Sequence, residues 1–187
     1  SPRSSLIPIQ RIGGVTRALV VPAGGRISGQ AGHVRLSGAS QMKAVVDAGV
    51  AMWANLDGSS SAQALRELRQ ALQDARDWPR LKAAYDRGQV RPLAASANDL
   101  EALGAVIRGD IPLVIKADRA SDIEAILRFA DEQKIRVVID GGAEAWLVAE
   151  ALAEASVAVI VDPAQQNNTK DAFSYDKMGG EWGYYNQ

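Results

Sequence analysis

The sequence predicts an α/β protein built from parallel βα repeats. Three observations carry that prediction, all between Ile111 and Pro163. Leu113–Ile115, Val137–Ile139 and Val157–Val161 are apolar runs, too short for helices and rich in β-branched residues, as strands buried on both faces are. Between them, Ile123, Ile126, Leu127 and Ala130, then Val148, Ala151, Leu152 and Ala155, follow the spacing of a helix with one apolar stripe. Strand, helix, strand, helix, strand in this length implies parallel strands, because a parallel return needs a crossover as long as a helix.

The 187 residues suit one domain, residues 1–163, with a C-terminal appendage, residues 164–187. Hydrophobic residues make up 47% of the chain and the formal net charge is −1. Such a balance gives no basic surface for nucleic acid. With no cysteine, disulfides, thiol catalysis and thiolate metal sites are excluded. No apolar run approaches a membrane span, and the amino terminus has no signal-peptide core. The expectation is a soluble protein, cytoplasmic or periplasmic, with no membrane partner. Ser1-Pro2-Arg3, without a starting methionine, reads as the cut end of a longer chain.

Residues 1–11 are broken by Pro2 and Pro8 and read as extended. Val15–Val21 is an apolar strand that Pro22 ends, and Ala23–Gly32 is a glycine-rich loop at its carboxyl end. His33–Leu36 forms a short strand, and Met42–Leu56 a helix or strand. Ser59, Ser60 and Ser61 can cap a helix whose stripe is Leu65, Leu68, Leu72 and Ala75, ending before Pro79. Arg66, Glu67, Arg69, Asp74 and Arg76 fall mainly off the stripe and read as a solvated face. A shorter helix spans Leu81–Arg87 and stops at Gly88. Pro92–Ala95 reads as a strand, and Leu100, Leu103 and Ile107 as the stripe of the helix after it. Pro92, Pro112, Arg136 and Val157 open strands roughly 20–24 residues apart, the length of one strand, one helix and two short loops.

The tail from Ala164 is polar, yet it holds Phe173, Tyr175, Trp182, Tyr184 and Tyr185, five of the ten aromatics. Such a density of rings is expected to pack on the body or on a partner.

In parallel α/β proteins chemistry gathers at the carboxyl ends of the strands. Those ends carry Lys116, Asp118, Arg119 and Asp122, then Asp140, Gly141, Gly142 and Glu144, and finally Asp162. Carboxylates and a lysine at one rim can bind a metal or work as acid and base. They can equally be structural: Ser121 or Asp122 can cap a helix, and Lys116 can pair with Asp118 or Asp140. Gly141-Gly142 at a strand-to-helix turn leaves room for an anion against backbone amides, and a tight turn explains the pair as well. Gly24–Gln30, with Arg26 and Ser28, offers a similar cradle but matches neither the dinucleotide fingerprint nor the P-loop. His33, the one histidine, cannot build a multi-histidine zinc site, and no G-x-S-x-G elbow is present.

VIKADRASDIEAILRFADEQKIRVVIDGGAEAWLVAEALAEASVAVIVDP resembles the late barrel strands of the amidohydrolase superfamily, near its imidazolonepropionase-like branch. PRSSLIPIQRIGGVTRALVVPAGGRISGQAG resembles the early strand and glycine-rich loop of the same family. The resemblance implies a (β/α) barrel whose strand-end histidines and aspartate hold one or two divalent metals, zinc among them. This chain departs from that pattern. It has no His-x-His on a first strand, Lys116 and Asp118 stand where His-Ala-His is usual, and Asp140-Gly141-Gly142 replaces Glu-His-Gly. The family's last-strand aspartate has no counterpart, since Asp162 belongs to an earlier strand.

A full barrel has eight strands in about 250 residues, and this sequence offers five or six strands. The expected architecture is therefore a partial, TIM-barrel-like domain, its open sheet edges covered by homo-oligomerisation. The expected function is that of an amidohydrolase-like protein without the usual metal centre or cofactor, and not a competent hydrolase. One alternative is a binding or assembly module for a small anion held by Arg26, Ser28, Lys116, Asp118, Arg119, Asp140, Gly141 and Gly142. The other is a fragment of an active, zinc-dependent amide or lactam hydrolase.

Overall fold

The structure, a computed structural model, describes residues 6–36, 44–57 and 60–161. The aromatic tail, Asp162, Met42 and Ser59 lie outside the described residues. Six strands form one sheet in the order β1 to β6: Arg17–Val20, Ile27–Arg35, Val45–Asn55, Leu113–Ala117, Val137–Gly141 and Ala158–Ile160. β1, β2 and β3 pair antiparallel, and β3 through β6 pair parallel. The helices among the described residues include α1 (Leu6–Ile12), α2 (Ser61–Tyr85), α3 (Ala97–Ile107), α4 (Ala120–Gln133) and α5 (Ala149–Glu154), the last entered through a 3₁₀ turn at Ala145–Val148. The predicted α/β class with parallel βα repeats is what the chain adopts. No helix among the described residues is long and apolar enough to cross a membrane.

The β4–α4–β5–α5–β6 half follows its sequence pattern closely except at β6, expected as a buried strand and found as a three-residue strand with Ile160 and Val161 exposed. The first half does not follow its pattern. Residues 6–12 are helical rather than extended, because Pro8 lies in the first turn, where its missing N–H would have no helical partner anyway. Most of the expected glycine-rich loop is strand β2. Register shifts at Ile27/Gly29 and Ala31/Gly32 place its glycines at bulges, where the chain bends without leaving the sheet. Met42–Leu56 resolves to a strand from Val45 onward.

Pro79 does not end α2, which runs on to Tyr85. The missing hydrogen bond is outweighed locally by packing, since Ala71, Leu72, Ala75 and Trp78 are all buried just ahead of it. Pro92–Ala95 is not a strand. Its Ala94 amide donates to Asp74 on α2 at 2.9 Å, so that backbone is bonded to a helix and β3 pairs directly with β4.

The pleat divides the sheet into two faces. Met52, Ala54, Leu113, Ile115, Val137 and Ile139 face the helices and meet Leu65, Leu68 and Leu72 of α2, Leu100 and Leu103 of α3, and Ile123, Ile126 and Phe129 of α4. Each fully buried side chain of this size contributes about 1.5–3 kcal/mol. The alternate residues Ala51, Trp53 and Val114 form a smaller cluster with Ala31 on the opposite face, joined by Val50 and Val138. That second face is the inner wall of a curled half-barrel. Its upper end carries polar residues.

Candidate functional site

The carboxyl ends of β3, β4 and β5 are level. Asn55 is the register partner of Lys116, and Lys116 that of Asp140. Period-two alternation puts Lys116 above Val114 and Asp140 above Val138, on the inner wall. Trp53 fixes the second of these directly: its indole N–H donates to Asp140 Oδ2 at 3.0 Å. Lys116 is half-buried and has no hydrogen bond or ion pair among the described residues, so its expected pairing with Asp118 or Asp140 is not formed.

Asp118 and the glycine turn form a closed unit. Gly141 and Gly142 both have positive φ, +104° and +71°. A Cβ on Gly141 would stand 2.5 Å from Asp118 Oδ1. Gly142 N–H donates to Ala117 O at 2.9 Å, Ala143 N–H to Asp118 Oδ1 at 3.4 Å, and Glu144 N–H to Asp118 O at 2.8 Å. The amides that the sequence offers to an anion are thus bonded within the protein. The same holds at the start of α4, where Arg119 is the N-cap residue and gives no side-chain cap. Glu144 Oε2 accepts from Ala120 N–H at 2.9 Å, the role expected of Ser121 or Asp122.

The second predicted cradle is divided. Ser28 is half-buried within β2. Arg26 ties the end of β3 to α2: its Nε donates to Glu67 at 2.9 Å and its Nη1 to Asn55 O at 2.7 Å and Asp57 O at 3.1 Å. The hydrogen bond from Arg26, helped by one from Gln63, holds the Glu67 carboxyl below the usual glutamate range. Asn55 is committed as well, donating to Gly25 O at 2.5 Å and accepting from Asp57 N–H at 3.1 Å.

The structure therefore brings together Lys116 and Asp140, with Asp118, Gly141 and Gly142 beside them as a turn. Arg26 and Ser28 lie at the same end of the sheet on the far side of β3, where Arg26 is taken up by Glu67, Asn55 and Asp57. Sequence reasoning missed Trp53. Its one visible signal was an apolar run, AMWAN, closing on a polar residue as strand ends do. Elsewhere, a groove of about 480 Å³ between α2 and α4 has Arg69 bonded to Glu132 at 2.6 Å and Arg76 to Gln133 at 2.9 Å, so most of its cationic charge is neutralised or bonded.

An amidohydrolase from Thermotoga maritima MSB8 is similar in structure, with a TM-score of 0.75 over 90% of this chain at 22% identity. The chain has a partial amidohydrolase-like fold. It spans about half, 48%, of that solved chain. No protein-family profile and no curated protein matches the sequence. The metal that the resemblance implies can be tested against the donors present. Among the described residues no group of three or more histidine, cysteine, aspartate or glutamate side chains could hold an ion. Asp118 is bonded into its turn and Asp140 to Trp53, while His33 lies away on β2, 3.5 Å from Asp47. The ammonium of Lys116, at matched register with Asp140, repels a cation. These residues do not fit a divalent metal.

Proposed function

We propose that the chain is an amidohydrolase-like half-barrel that is not a metal-dependent hydrolase and that binds a small anion at its strand ends. The observation that carries this reading is Lys116, a half-buried cation on the inner wall with no partner among the described residues. An ammonium so placed has three donors available and sits where water is partly excluded, so a carboxylate or phosphate would gain more there than at an open surface. Titration of the purified protein with acetate and phosphate, followed by amide chemical shifts, tests it. Millimolar binding that Lys116→Met abolishes is expected. No binding, or stoichiometric zinc accompanied by amide or lactam hydrolysis, would sink the reading.

Assembly belongs to the same proposal. β6 pairs with β5 alone among the described residues and leaves Ile160 and Val161 exposed. A second copy covering that edge satisfies its backbone groups. A second functional reading is favoured by the 48% coverage: a piece of a hydrolase whose other strands supply the metal ligands. A reading frame that continues through both ends supports it, and a start and stop at these residues excludes it.

A further inference from the structure

Lys116 and Asp140 stand side by side on the inner wall and are not bonded to each other. Neighbouring strands run about 4.8 Å apart, so opposite charges at matched register are within reach of one small molecule. Asp140 is oriented rather than free. The Trp53 indole takes its Oδ2 at 3.0 Å, and no bond among the described residues engages its Oδ1. Trp53 is itself 6% exposed, packed with Ala31, Ala51 and Val114 beneath the rim, which makes its N–H a rigid donor. The rim thus offers one cation with no partner and one carboxylate oxygen held in place beside it. Of the neighbouring polar groups, Asn55 is committed to Gly25 and Asp57, and Asp118, beyond the end of β4, has its Oδ1 turned to the Ala143 amide of the glycine turn.

We infer that the ligand of this rim is a small zwitterion of the amino-acid class, its carboxylate on Lys116 and its ammonium on Asp140 Oδ1. Trp53 is the positioning residue that aims Asp140. The inference rests on the anion-binding reading above and adds to it the second contact, which makes Asp140 the specificity-determining residue. A plain carboxylate satisfies Lys116 only and leaves Asp140 facing the anion's approach, which repels it. A ligand carrying its own ammonium turns that repulsion into a charge-assisted hydrogen bond. A simple ammonium ion meets the converse problem at Lys116.

Matched pairs separate the two contacts: acetate with glycine, propionate with β-alanine, and butyrate with 4-aminobutyrate, each titrated into the 187-residue protein and followed by amide shifts. At least one amino acid should bind about tenfold more tightly than its matched carboxylate. Asp140→Asn, which keeps the shape and an acceptor for Trp53, should erase that preference without weakening carboxylate binding. Trp53→Phe should reduce the ratio of the two affinities while leaving carboxylate affinity in place, a result that mere loss of packing does not produce. Carboxylates binding as well as their amino acids in all three pairs overturns this inference and leaves the anion reading standing. Absence of binding by every probe overturns both. A preference that survives Asp140→Asn assigns the ammonium to another group and overturns the role of Asp140.

Discussion

Asp118 Oδ1 lies 2.5 Å from the position a Cβ would take on Gly141, so residue 141 has room for glycine and nothing larger. Its φ of +104° is a conformation that L side chains rarely adopt, and the two constraints act together. Gly141→Ala must either push Asp118 off the Ala143 amide or move β5. A loss of about 2 kcal/mol or more is expected in urea unfolding. An unchanged midpoint would show that the turn relaxes freely.

Asp74 is fully buried on α2, where it accepts from Arg91, from Gln70 at 2.9 Å and from the Ala94 amide at 2.9 Å. This pair ties the segment after α2 to the helix. Asp74→Asn should cost about 2–3 kcal/mol, since it removes the charge that Arg91 pairs with and puts an amide donor at a buried position that faces three donors.

The same residue sets a pH dependence. Burial pushes the Asp74 carboxyl up, but the hydrogen bonds from Arg91, Ala94 and Gln70 pull it down further, and it lies below its ordinary 3.8. A carboxyl depressed in the folded state stabilises the fold above its unfolded value and loses that contribution as pH falls through the folded one. The stability gap between the protein and Asp74→Asn should therefore be constant from neutral pH to about 5 and shrink below about 4. A gap that holds constant to pH 2 would contradict the pairing.

Arg26 holds Glu67 across 41 positions of sequence. Arg26→Met should let the Glu67 carboxyl rise toward the ordinary glutamate value. Titration of the Glu67 side-chain carbon by NMR reads this directly, and an unmoved titration would place Arg26 elsewhere in solution.

Ile160 and Val161 are 42% and 64% exposed at the edge of the sheet. If a second copy covers β6, Ile160→Arg should lower the mass found by light scattering to that of a single chain without unfolding it. A single-chain mass for the unaltered protein would remove the assembly proposal.

The difference between the two halves of the chain has a physical origin. From β4 to β6 each element carries its own periodicity, with Ile123, Ile126 and Ala130 on one stripe and Leu113 and Ile115 in a wholly apolar run. Local pattern and final packing agree there as far as β5, while β6 takes the strand conformation without the expected burial. In the first half they conflict. Gly29 and Gly32 look like loop residues until their partners on β3 place them at bulges, and Pro79 looks like a helix end until the burial of Trp78 and Leu72 holds the helix together. Pro92–Ala95 has the composition of a strand, yet its amide at Ala94 is claimed by Asp74.

For the site, sequence alone determined which residues reach the strand ends, because strand period and length fix that locally: Lys116, Asp118, Asp140, Gly141 and Gly142 were all legible. Tertiary structure decided what each is free to do. Hydrogen bonds form between groups far apart along the chain, and no local pattern records which donor arrives first. Trp53 reaches Asp140 across 87 positions, Glu144 takes the Ala120 amide, and Asp118 fills the turn that an anion was expected to fill. Lys116 is left among the described residues with its charge unspent, and that follows from the neighbours that found other partners.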